Sequence, residues 1–141
     1  DYERVVLSGL QLGIMQACLD TVIPYLRERK QFGVEIGRFQ ALQHRSSHLY
    51  CELEIARSAV LAALTALDAG AEDAELITAM TKAKVGTVAK LAGLEGVQMF
   101  GGVGMTDEYD IGLYLKRIRA AQELFGDAHY HMDAIANMKG Y

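Results

Sequence analysis

The chain has 141 residues, 51% hydrophobic and 23% charged, with 14 Gly and 1 Pro; 14 Lys and Arg against 18 Asp and Glu leave a net charge of −4. That length and apolar content suit one domain with a real core and exclude a disordered chain. The acidic balance without a basic stripe excludes the usual nucleic-acid binder, a lone Pro argues against an all-β domain, and two Cys are too few for a disulfide framework.

The first helix is expected from about Glu3 to about Lys30. Apolar residues fall on one face (Val6, Leu7, Leu10, Ile14, Cys18, Val22, Leu26) and also on others (Val5, Leu12, Met15, Leu19, Ile23), so it should be buried on several sides. Pro24 lies inside it and should kink rather than end it, because the pattern resumes afterwards. The greasy stretch Leu7 to Leu19 contains Gln11 and Gln16 and meets Asp20, too short and too polar for a membrane span. The charged N-terminus shows no targeting segment, so the expected compartment is a reducing one, bacterial cytoplasm or mitochondrial matrix.

Gln31-Phe32-Gly33 ends that helix. A second runs from about Phe39 to Asp68, with Leu49, Leu53, Ala56, Val60, Leu64 and Leu67 on one face. Gly70 is a natural stop and Asp73 a natural N-cap for a third helix, which carries Ile77, Met80, Val88, Leu91 and Leu94. Gly86, Gly93 and Gly96 in that helix suggest close approach by another helix or a ligand. Gly101-Gly102-Val103-Gly104 breaks the pattern. Asp107 or Asp110 can cap a fourth helix with Ile111, Leu115 and Ile118 inward, and a short last helix holds Tyr130, Ala134, Ile135 and Met138. No strand signal is visible. Four long helices with short connections give an all-α, antiparallel four-helix bundle.

Two glycine-bearing junctions could hold an anion or a diphosphate, since each sets polar groups and free backbone amides at a helix end. One is Arg27 to Gly33, followed by Ile36, Phe39 and Gln40; the other is Gln98 to Met105. The plain alternative is helix termination by Gly, with Phe32 and Phe100 filling core gaps. His44 and His48, four residues apart, make at most half a metal site, and His129, His131 and Asp133 read as a solvated helix face; no metal is expected. Cys18 and Cys51 read as small core residues.

Arg29, Gln31, Phe32 and Gly33, then Phe39 and Gln40, then Gln98 to Gly104, in this order and spacing, resemble the C-terminal domain of the acyl-CoA dehydrogenases. The similarity runs over nearly the whole chain, and residues 3–9 and 12–16 look like the isovaleryl-CoA dehydrogenase branch. The resemblance implies that residues 1–141 are one helical-bundle domain, the C-terminal part of a longer flavoenzyme. It implies FAD as cofactor, with Arg29, Gln31, Phe32, Gln40, Gln98, Gly101 and Gly102 reaching the flavin of a neighbouring subunit. It therefore implies an oligomer, a homodimer or homotetramer or a heteromer with a second dehydrogenase-like subunit. It also implies an acyl-CoA substrate and an electron-transfer flavoprotein as acceptor.

The reaction implied is α,β-dehydrogenation, in which a carboxylate takes the α-proton and a hydride passes to the flavin. Most of the family carries that carboxylate near the C-terminus, at a position that here holds Phe125, before Gly126. The isovaleryl branch places it at the start of the first helix, where Glu3 stands, followed by the family's Arg at Arg4. A second departure is Asp127-Ala128-His129, where the family usually has Thr and Ser contacting flavin. This departure and Phe125 leave open a second class of function, a non-catalytic subunit that supports a partner's FAD site, and a third, another flavin reaction on a carrier-bound or nitro substrate.

Overall fold

The computed structural model describes residues 1–141. Its elements are α1 (Tyr2–Glu28), β1 (Lys30–Gln31), β2 (Val34–Glu35), α2 (Gln40–Asp68), α3 (Ala74–Phe100), α4 (Ile111–Glu123) and α5 (Ala128–Lys139). Short 3-10 segments at Ile36–Arg38 and Gly101–Met105 join them.

The helices run up, down, up, down. Tyr2 donates to Asp68 and Arg57 donates to Gln16, so α1 and α2 are antiparallel. Lys84 pairs with Glu52 and Arg45 with Glu95, which sets α2 against α3 in the same way. Ile111 meets Gly96 and Leu115 meets Gly93, so α4 descends along α3. The expected antiparallel bundle is therefore present, and α5 packs back onto α3. Helix α3 touches all four other helices. Its glycines explain part of that closeness: a Cβ at Gly93 would lie 2.7 Å from Leu115 Cδ1, and one at Gly96 2.6 Å from Ile111 Cδ1. Gly86 meets nothing so near.

The core gathers Val5, Met15, Cys18 and Val22 of α1, Leu49, Leu53 and Ala56 of α2, Val85, Val88 and Ala92 of α3, and Ile111 and Ile118 of α4. By length and composition α1 could cross a membrane, but nine of its residues are buried in the bundle. Burial removes Cys18 from thiol chemistry as well, pushing its pKa up to about 12. The Cys51 side chain falls between the buried positions Leu49 and Leu53 and is exposed, not in the core.

Several expectations are corrected in detail. Helix α1 ends at Glu28, two residues early, because Lys30–Gln31 pairs with Val34–Glu35 in a small antiparallel ribbon. Phe32 and Gly33 form its two-residue turn, both at positive φ (56° and 79°), the type I′ pattern that suits a hairpin twist. Phe32 fills no core gap; it is 91% exposed, while Phe100 is buried. Helix α3 starts after Asp73 and α4 after Asp110, as N-cap positions, though neither carboxylate makes the side-chain capping bond.

Candidate functional site

The topology sorts the candidate residues to two ends of the bundle. At one end α1 and α3 finish and α2 and α4 begin. At the other, α1 begins and α4 turns into α5. The ends are about 39 Å apart along α1, taking its 1.5 Å rise over the 26 residues from Glu3 to Arg29.

The first end holds a cleft of about 320 Å³. Arg29, Gln31, Phe32, Gln98, Gly101 and Gly102 all line it, so the two glycine-bearing junctions, some 70 residues apart in sequence, form one site. Aromatic packing fixes its floor. Tyr25 stacks on Phe100 with ring centroids 4.2 Å apart and donates its hydroxyl to the Phe100 carbonyl at 3.3 Å. Tyr109 closes on both rings. Phe32 and Phe39 meet edge to face at the rim.

The charge in this cleft is available. Glu35 takes Arg38 at 2.8 Å and Lys30 at 3.8 Å, leaving Arg29 as the lining cation without an ion pair. A guanidinium so placed is a two-pronged donor for phosphate or carboxylate oxygen. Gly101 sits at φ 72°, ψ −150°, a region essentially reserved for glycine. Gly102 has open space where a Cβ would stand, so nothing in this chain demands a glycine there; a group approaching the backbone from outside would. Gln40 is the exception among the expected contacts. It is the first residue of α2 and exposed, beside Phe39, and the cleft is lined by Phe39 and Leu42 instead.

The second end holds a shallow depression of about 410 Å³, lined by Tyr2, Glu3, Val6, Leu7, Leu10 and Phe125. Tyr2, Val6 and Leu10 follow one another at i, i+4, i+8 and all remain exposed. Two of them, Val6 and Leu10, belong to the α1 face expected to be buried. Glu3 and Phe125, distant in sequence, thus face the same space. Arg4 does not line the depression; its guanidinium pairs with Asp1 at 3.1 Å rather than with Glu3.

Behind Phe125 lies a polar arrangement that the pattern of the sequence does not show. Lys82 and His131 are each 1% exposed. Lys82 Nζ donates to the carbonyls of Gly126 (2.9 Å) and Gln122 (3.3 Å). His131 Nε2 lies 2.9 Å from the Phe125 carbonyl, which can only accept, so Nε2 carries the proton. His131 is therefore not on a solvated face: α5 turns it inward against the turn it follows. Asp127 caps α5, accepting from the Tyr130 amide at 2.9 Å, and that bond holds its carboxyl below the usual carboxylate range. Its charge is committed to the helix start. No cluster of three metal-ligating side chains forms, and His44 and His48 are exposed on α2.

Burial pushes the His131 imidazole below its ordinary pKa; Lys82 and Arg4 push the same way, against the Phe125 carbonyl and Asp127. The folded state thus binds the proton less well than the unfolded chain. The sign follows: this stability is present above the unfolded value of about 6.5 and is lost as pH falls from there through the lower folded value. The melting temperature of the wild type should fall as pH drops from above about 6.5 to below it. His131→Gln, which keeps a donor but does not titrate, should fall less between the same two pH values. Parallel melting curves at both pH values check this.

Comparison with known proteins agrees with the geometry. The family described as acyl-CoA dehydrogenase, C-terminal domain, matches residues 1–139. The chain belongs to the acyl-CoA dehydrogenase family. It is 38% identical over 116 residues to mitochondrial isovaleryl-CoA dehydrogenase of Arabidopsis thaliana, covering 82% of this chain and 28% of that protein. It is 34% identical over 136 residues to the mitochondrial short/branched chain specific acyl-CoA dehydrogenase of Bos taurus, covering 94% of this chain and 31% of that protein. Among solved structures, PigA with FAD and proline superposes with a TM-score of 0.92 at 30% identity, over 99% of this chain and 36% of that one. The chain spans between 27% and 39% of the length of the curated relatives it matches.

Proposed function

We propose that this chain is the C-terminal domain of a longer flavoenzyme that dehydrogenates an acyl-CoA between its α and β carbons. The observation that carries the reading is the shared depression of Glu3 and Phe125. At the position where most of the family has its carboxylate stands a phenyl ring, and across the same apolar space stands a carboxylate. Glu3 takes the α-proton from that side. Arg4 shapes the start of α1 beneath it through Asp1. Tyr2, Val6, Leu10 and Phe125 give the acyl chain an apolar surface and limit water around the base.

The cleft at the other end fits the diphosphate side of FAD: an unpaired Arg29, the amides of Gln31 and Gln98, and an open glycine backbone. FAD supplies the hydride acceptor when bound. No single dinucleotide spans the length of α1, so the cleft and the depression of one chain serve two different flavins. In this reading the enzyme works as at least a dimer, with Arg29 and Gln98 reaching a neighbour's FAD. In this reading electrons leave to an electron-transfer flavoprotein, in bacterial cytoplasm or mitochondrial matrix.

A supporting role in a heteromer is the second reading, favoured by Phe125 and by the absent Thr and Ser at 127–129. Asp127 weighs less than its charge suggests, because it caps α5. Anaerobic titration of the full-length flavoprotein with a panel of acyl-CoAs separates the two. Bleaching of the flavin by at least one acyl-CoA is expected. Protein that gains flavin and bleaches only with a co-expressed second dehydrogenase-like chain would instead assign the supporting role.

A further inference from the structure

Five residues at the end of α4 receive an unusual amount of buried bonding. Lys82 binds the carbonyls of Gln122 and Gly126, His131 binds that of Phe125, and Gln122 Nε2 donates to the Gly86 carbonyl at 2.9 Å. Lys82 makes no ion pair within the chain; Asp127 and Glu123 act on it only through space, against Arg4. An ammonium buried without a paired carboxylate is expensive, and a helix can end on a glycine without one. Here the residue that turns the chain is Phe125, at φ 59°, followed by Gly126 at φ 93°. The left-handed region is unfavourable for a bulky side chain, so this turn persists only if its surroundings determine it. Lys82 and His131 come from helices on either side of the turn, α3 and α5, and between them hold three of its carbonyls. Phe125 is the side chain of that turn which lines the depression opposite Glu3.

We propose that Lys82 and His131 are positioning residues for substrate selection: they lock the Phe125–Gly126 turn so that the phenyl ring forms a fixed wall facing Glu3. The proposal rests on the reading of Glu3 as base. It gives the buried ammonium, which makes no ion pair, a task that an apolar side chain could not perform. The wall acts on the acyl group; Lys82 and His131 act only through the wall.

The test uses the full-length flavoenzyme with Lys82→Met, Phe125→Gly and the double variant. The two acyl-CoAs that bleach the wild type fastest serve as probes. Amide hydrogen exchange over residues 122–131 reports the turn without reference to activity. Overall melting does not discriminate, since replacing a buried charge by an apolar side chain can leave stability unchanged. Lys82→Met should speed exchange in the turn several-fold. It should shift the ratio of kcat/KM between the two acyl-CoAs in the direction that Phe125→Gly does, and the double variant should shift it no further. Unchanged exchange, a wild-type ratio, or shifts that simply add would overturn the proposal. Should Lys82→Met fail to fold, His131→Leu removes the third carbonyl's donor and carries the same expectations. A wild type that no acyl-CoA bleaches sinks the dehydrogenase reading, and the proposal with it; a bleaching wild type with an unaltered ratio in the variants sinks the proposal alone.

Discussion

Glu3→Gln should lower acyl-CoA turnover by roughly 10²–10⁴-fold, the usual contribution of a positioned general base, while flavin content stays at the wild-type level. The amide keeps the size of the carboxylate and removes only its ability to take a proton. The substitution is mild for the fold: Glu3 is exposed in the first turn of α1, where loss of a favourable macrodipole contact costs about 0.3–1 kcal/mol. The flavin cleft lies at the far end of α1 and should be untouched. Stopped-flow bleaching of the flavin by substrate isolates the step. A Glu3→Gln enzyme that bleaches at the wild-type rate would remove Glu3 from the reaction and return the question of the base to other parts of the chain.

Arg29→Gln should weaken FAD binding by roughly 10–150-fold, the equivalent of about 1.5–3 kcal/mol for a hydrogen bond to a charged group. The effect comes from a charge held at a fixed place. Arg29 closes α1, its amide bonds back to the Tyr25 carbonyl at 2.9 Å, and its own carbonyl accepts from Ile36 across the hairpin. The backbone is therefore held from both sides. The guanidinium has no competing carboxylate, so the substitution creates no unpaired partner and should leave the fold intact. Purified protein would lose flavin on dilution and regain turnover in excess FAD. Fluorescence titration of the apoprotein measures the loss. Equal FAD affinity in the two proteins would mean that Arg29 does not face phosphate.

Most of the bundle can be read from spacing alone, because its helices are long and two of them, α2 and α3, stop at glycines with positive φ. Gly70 and Gly101 both lie at positive φ at helix ends. The cleft was legible only through the family pattern; nothing in periodicity says that Arg29 and Gln98 meet. The ribbon at 30–35 escapes reading because its strands are two residues long and its turn is Phe-Gly, without the Asn or Asp that usually signals a type I′ turn. Lys82 and His131 escape for a different reason. Helix α3 packs against four others and is buried over most of its circumference, including Thr78, Thr81 and Lys82, with the stripe Met80, Thr87, Lys90, Leu94 and Gln98 exposed. A lysine in such a helix looks in sequence like one on a solvated face. The signal that could have exposed it is the run of small residues around it, Ala79, Ala83, Gly86 and Ala89, which leaves no polar face for Lys82 to belong to.

In the proposed enzyme the two ends of α1 serve two flavins in different subunits. The most direct measurement is a crystal structure of the full-length protein with FAD and a non-reactive thioether analogue of its best acyl-CoA. The Glu3 carboxylate should contact the analogue's α-carbon, with Phe125 on the opposite wall and Arg29 on the diphosphate of the neighbouring subunit's FAD. Glu3 turned to bulk solvent, or Arg29 and Glu3 both remote from any flavin, would contradict this arrangement.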